Sequence, residues 1–174
     1  EKTNIERRHI DFYQTQAVRI FARGSMKKGG RLYRVWWQNI LSDYRKYIYI
    51  DGEPTVEIDY SAMSIRLLYA KHKLPYPLEK DPYDIGLPNW EGRKDIRRKS
   101  IKRFINAILN DEDGIYTLKS SDKKLLGGVS DTQLRQLVEK AHPEIYSKML
   151  AGIGLELQYL DSLIAINVLR MLQQ

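Results

Sequence analysis

At 174 residues, with 29 Lys plus Arg against 22 Asp plus Glu and a net charge of +7, the chain is long enough to bury a core and carries the charge expected of a protein with an anionic partner. It contains no cysteine, which excludes disulfides and thiolate metal sites, and no apolar run approaches the ~20 residues of a membrane span. Nothing resembles a signal peptide, so a cytoplasmic location without membrane contact is expected; the chain starts at Glu1 and stops at Gln174 inside a helical pattern, as a fragment would.

Residues 5–23 mix charged and apolar side chains at helical spacing (Ile10, Tyr13, Ala17, Ile20, Phe21), and Gly24, Gly29 and Gly30 then punctuate a loop. Arg31 to Trp37 and Tyr47 to Ile50 are β-prone, with Trp36 and Trp37 expected in the core. Asp51-Gly52 is a hairpin signal leading into Thr55-Val56. Beyond it Val56, Ile58 and Tyr60 point one way while Glu57 and Asp59 point the other, so a strand is expected to end on Asp59. A helix from about Ala62 to Lys73 follows, stopped by Leu74-Pro75 and Pro77. Residues 76–90 read as an irregular connection and 91–110 as a helix with Ile101, Phe104, Ile105 and Ile108 on its apolar face. Residues 118–130 are loop-rich, and helices over 131–141 and 143–151 are separated at His142-Pro143. The last helix, 153–173, is apolar on two sides and is expected to be buried between other elements. No internal repeat is visible.

Two features carry chemistry. A carboxylate at the end of a buried strand, Asp59, is a good place to hold a hard cation such as Mg²⁺, although Asp at that point is equally suited to cap the helix behind it. Residues 91–103 hold seven basic side chains against Glu91 and Asp95. Arg98, Lys102 and Asn106 lie four apart on a face beside the apolar one, an array that suits a nucleoside triphosphate or, more plainly, solvent. His9, His72 and His142 are scattered without metal-ligand spacing.

Asp59-Tyr60-Ser61 followed by Arg66 resembles motif A of the family A (DNA polymerase I-like) nucleic-acid polymerases, roughly D-Y-S-x-x-E-L-R. Gly30-Arg31-Leu32-Tyr33 followed by Trp37-Gln38-Asn39-Ile40 is similar to the family's G-R-L-S…L-Q-N-I-P segment. Arg98 to Ala107 resembles motif B, R-x-x-x-K-x-F-I-Y-G in some phage members, and Asp81-Pro82-Tyr83 is similar to a D-P-H segment ahead of it. The three main segments occur in the family's order, over about half the chain.

The resemblance implies an α+β fold: a small antiparallel palm sheet, a mainly helical fingers region and a long buried C-terminal helix. The expected divisions are 1–30, an N-terminal helix and Gly-rich loop; 31–75, palm strands and motif A; 76–152, fingers; and 153–174, a palm helix. It implies a nucleotidyltransferase, a DNA-directed DNA or RNA polymerase, extending a primer on a template by two-metal phosphoryl transfer with two Mg²⁺ ions. Asp59 and the Tyr60 carbonyl would bind metal, and Arg98 and Lys102 the triphosphate. Arg31, Gln38, Asn39 and Arg66 would contact the primer–template. No thumb or exonuclease segment is visible, so processivity is expected to draw on an accessory protein or further sequence.

Three departures matter. Asn106-Ala107 and Asn110 stand where the family has aromatics and Gly that stack on the base. Ser64 replaces the Glu that crowds the ribose 2′-hydroxyl in DNA-making members, so tolerance of ribonucleotides is expected. The family's second carboxylate lies in a His-Asp hairpin after the long helix, so continuation past Gln174 is expected, with Asp161 contacting nucleic acid or the fingers. Two other readings stand alongside: a catalytically inactive nucleic-acid-binding module, and an interaction subunit that uses its terminal helix.

Overall fold

The computed structural model describes residues 10–88, 94–111 and 116–173, and its first element is a β-hairpin in place of the expected helix. β1 (Val18–Ala22) pairs antiparallel with β2 (Ser25–Tyr33). Arg23 (φ 53°) and Gly24 (φ 63°) both take the left-handed conformation, the pair that matches hairpin twist. Helical spacing over 5–23 loses to this hairpin because β2 also lies along the last helix, α7 (Gly154–Leu172), a long-range contact that a local pattern does not register. Residues 5–9 of the expected helix, and 91–93 of the later one, lie outside the described residues.

Gly29 and Gly30 are inside β2, at a register shift, rather than in a loop. A β-carbon at Gly30 (φ +81°) would sit 2.9 Å from Phe21 Cε1, 3.0 Å from Arg19 Nη2 and 3.1 Å from Ser162 Oγ, so only Gly lets the strand approach α7. Arg19 locks the crossing, donating from Nε to the Gly30 carbonyl (2.9 Å) and from Nη2 to Ser162 Oγ (2.9 Å).

A short 3₁₀ turn (Trp36–Gln38) and a one-turn helix, α1 (Ser42–Arg45), lead to a second small hairpin, β3 (Tyr49–Ile50) with β4 (Glu53–Pro54). The Asp51-Gly52 turn is as expected, with φ of 52° and 84°. Then come α2 (Met63–Lys71), an irregular segment to residue 88, α3 (Lys94–Asn110), α4 (Ser120–Leu125), α5 (Asp131–Ala141), α6 (Tyr146–Met149) and α7. The described fold is α+β, 47% helical and 12% strand, so helices carry the core while the strands remain local hairpins. Among the described residues no helix is long and apolar enough to cross a membrane.

The core lies among α2, α3, α5, α6 and α7. Ile101, Phe104, Ile105 and Ile108 are all fully buried, as the periodicity of α3 requires, against Ile65, Leu68, Leu134, Val138 and Met149. Complete burial of each such side chain stabilises by about 1.5–3 kcal/mol. α5 opens with a capping box, Ser130 with Gln133, and α4 occupies part of the stretch expected as loop. α4 is fastened to α3 by Asp122, which is 2% exposed and accepts from Ser100 Oγ (2.7 Å) and Arg103 Nη1 (2.7 Å). The Ser100 hydrogen bond, with help from Arg103, holds its carboxyl below the usual range against the opposing effect of burial. α7 is buried mainly in its first half; Val168, Leu169, Met171 and Leu172 are exposed.

His142 ties the irregular 77–88 segment to the core. It is 1% exposed; Nε2 donates to the Pro82 carbonyl (2.8 Å) and Nδ1 accepts from the Tyr69 hydroxyl (3.1 Å). Burial, with Lys80 nearby, holds its pKa below the ordinary value, opposed by Pro82 and Glu144; burial and Glu144 push Tyr69 up to about 12. A depressed folded pKa means that the unfolded chain takes up the proton first. This contribution is therefore complete above about pH 6.5 and is lost as pH falls towards the folded value, at no more than about 1.4 kcal/mol per unit. Thermal melts from pH 7.5 to 5 are expected to fall more steeply for wild type than for His142→Gln, which has no proton to take up; parallel curves would disprove the coupling.

Candidate functional site

The segment that should present Asp59 is not a strand. Thr55 still bonds back to Ile48 O through N (3.1 Å) and Oγ1 (2.9 Å), but Pro54 has no N–H to continue the ladder and residues 55–60 form no strand. Val56 and Ile58 are consequently 82% and 90% exposed: alternation marks two faces, but nothing among the described residues covers the apolar one. Asp59 does not cap α2 either. The N-cap is Ala62, left-handed at φ 51°, with no side-chain cap hydrogen bond. The turn at Ser61-Ala62 aims Asp59 and Tyr60 into a cavity of about 260 Å³.

The opposite side of that cavity comes from α3. With the apolar face of α3 buried, Lys102 and Asn106, one turn apart, line the same cavity as Asp59, Tyr60 and Ser64. Neither Asp59 nor Lys102 has a hydrogen-bond or ion-pair partner among the described residues, so one unneutralised acid and one unneutralised base share a small space. Arg31 and Asp161 complete the lining as an ion pair: Arg31 reaches from β2 to α7, with Nη2 at 2.7 Å and Nε at 2.8 Å from one Asp161 oxygen. The Gly30 crossing sets that reach.

Other expected site residues are used differently. Arg98 does not line the cavity; its Nε donates to Asp81 (2.8 Å) and its guanidinium lies 4.8 Å from the centroid of Tyr83, which does line it. Asp81 also accepts from Tyr83 N (3.1 Å), so Arg98 and Asp81 together hold the Tyr83 wall. Arg97 donates to the Pro88 carbonyl and Arg103 to Asp122; among the described α3 side chains, Lys102 is the cation that lines the cavity. Arg66 is likewise occupied within the chain, donating to the carbonyls of Ser61 (3.2 Å), Leu78 (2.8 Å) and Lys80 (3.1 Å), and so brackets the Asp59 turn to the 77–80 segment. Gln38 and Asn39 line a second, larger cavity of about 1060 Å³, which Arg31 also lines. Trp37 is there too, 43% exposed rather than in the core.

Sequence reasoning missed Tyr83 and Asp161 as cavity residues. The Asp81-Pro82-Tyr83 signal was present: Asp81 takes Arg98, Pro82 takes His142 and Tyr83 walls the site. Asp161 is one of several polar residues in α7, with Glu156, Gln158, Asn167 and Arg170, so the local sequence does not mark it.

Of the two carboxylates lining the cavity, Asp161 is taken by Arg31 and Asp59 has no partner among the described residues. A carboxylate can join substrate phosphates around a hard cation such as Mg²⁺. Among the described residues no group of three or more His, Asp or Glu could hold a metal ion. No protein-family model, no curated protein and no solved structure matches the chain.

Proposed function

We propose that the chain forms the palm-and-fingers part of a template-directed nucleotidyltransferase, extending a primer from nucleoside triphosphates in the cytoplasm. The observation that carries this reading is the meeting of unpaired Asp59 and unpaired Lys102 at one cavity, on the two segments that resemble motifs A and B. Asp59 and the Tyr60 carbonyl would hold Mg²⁺, with the substrate's phosphates completing its shell. When bound, the metal would activate the primer 3′-hydroxyl and offset charge on the triphosphate. Lys102 supplies a compact positive charge to the phosphates, and Asn106 a hydrogen bond to sugar or base edge. Ser64 leaves space at the sugar. Arg31 positions the primer end, and a second ion would need Asp161 to release Arg31. At about 260 Å³ the cavity accommodates the reacting end of a nucleotide and not the whole of it.

One observation favours the inactive-binder reading instead: Arg98, which should grip phosphate, is spent on Asp81. Primer extension on DNA and RNA templates with Mg²⁺, supplied with ribo- or deoxyribonucleotides, decides between the two. Metal-dependent incorporation of both sugars is expected. Lys102→Ala should raise the nucleotide KM about 10- to 100-fold, the worth of one hydrogen bond to a charged group. Primer–template binding with no incorporation by the wild-type chain would establish the binder.

A further inference from the structure

The 1060 Å³ cavity is larger than the ~300–1,000 Å³ of ordinary small-ligand pockets, and its lining has the composition of a polymer groove. Trp37 lies in its wall in T-shaped contact with Trp36 (centroids 5.7 Å, 86°), which is itself packed on Phe12 (5.2 Å). Cations surround it. Glu57, the acid in the lining, is already paired with Arg45, whereas Arg34 and Lys46 have no acidic partner among the described residues. Arg34 is also held left-handed at φ 70°, a conformation that costs a non-glycine residue and is concentrated at functional sites. Gln38 is fixed by its bond to the Leu32 carbonyl (2.9 Å), and Gln14 by accepting Trp36 N (2.9 Å) through its own carbonyl.

We propose that this cavity binds an unpaired, single-stranded stretch of nucleic acid, with one base stacked on Trp37 and the flanking phosphates on Arg34 and Lys46. An aromatic face within a cationic groove is how single strands are bound without sequence preference, since every base has a π-face. Away from its ends a duplex offers no such face, because its bases are stacked on one another. The proposal rests on the polymerisation reading for its biological purpose, since Arg31 lines both cavities and the strand would run towards Asp59.

The test is a fluorescence-anisotropy titration of short oligothymidylate, oligouridylate and a blunt duplex against the whole chain. Trp37→Ala is expected to weaken single-strand binding about tenfold or more, Trp37→Phe to retain most of it, and neither to alter duplex binding. Arg34→Gln with Lys46→Gln should lower the salt dependence of single-strand binding by about 1.4 in log–log slope. The oligothymidylate and oligouridylate arms show whether DNA or RNA is preferred. Unchanged single-strand affinity in Trp37→Ala would overturn the proposal, as would equal losses for single strand and duplex, or full competition by a mononucleotide at the oligomer's concentration. The two readings fail separately. Primer extension with a Trp37-indifferent strand removes this proposal alone; Trp37-dependent strand binding without extension removes polymerisation alone.

Discussion

Asp59→Asn is expected to abolish primer extension while leaving the fold and nucleic-acid affinity in place. The side chain is exposed and makes no hydrogen bond or ion pair with another described residue, so the substitution should move stability by no more than about 0.5 kcal/mol. Asn keeps the shape and one oxygen donor but removes the charge that would hold Mg²⁺ against the triphosphate. A metal's stabilisation of transition-state charge is worth several kcal/mol, so loss of its anchor should cost at least about a thousandfold in kcat. Removing one negative charge should leave primer–template binding equal or slightly tighter, which separates a catalytic ligand from a binding residue. Asp161→Asn gives the contrast. It frees Arg31, so its main effect should fall on primer binding. If Asp59→Asn kept extension within about tenfold of wild type, Asp59 would not be a metal ligand and the proposed function would lose its centre.

The contrast between Asp59 and Arg98 shows how far the sequence could be read. The α3 apolar face and the Asp51-Gly52 turn were legible because each depends on its own local residues: four apolar positions at helical spacing, or a dipeptide that tolerates positive φ. The residues facing the small cavity followed from the same reasoning, since burying Ile101, Phe104, Ile105 and Ile108 leaves Lys102 and Asn106 on an adjoining side. The use of Arg98 and Arg103 was not legible, because their partners Asp81 and Asp122 are 17 and 19 residues away and no spacing rule links them. Nor was Arg66, whose acceptors are backbone carbonyls identical in every residue type. The N-terminal hairpin was misread for a related reason. Its residues do alternate poorly, and what makes them strands is pairing across the Arg23-Gly24 turn together with the closeness of β2 to α7, which is long-range. Residues 55–60 illustrate the last limit: a period-two pattern records that one face is apolar, and says nothing about what covers it.

Gly30→Ala tests whether the β2–α7 crossing is what assembles both cavities. Two costs add at that position. The left-handed backbone (φ +81°) disfavours any β-carbon by about 1–2 kcal/mol, and contacts of 2.9–3.1 Å to Phe21, Arg19 and Ser162 add an overpacking cost of about 1–3 kcal/mol. A melting point lower by about 4–20 °C is expected, and part of the overpacking will be relieved by β2 moving away from α7. That movement has a functional consequence, because Arg31 follows immediately in the chain and reaches Asp161 only while the strand is seated. Gly24→Ala is the matched control: it has the same backbone sign (φ +63°) but nothing within 4 Å of a new β-carbon. It should pay the backbone cost alone and leave the strand seated. Measured well below both melting points, Gly30→Ala should lose primer extension and Trp37-dependent strand binding together, while Gly24→Ala retains both. Should the two variants melt alike and act alike, the crossing would be ordinary packing, and the position of Arg31 between the two cavities would have to be set by something other than the glycine before it.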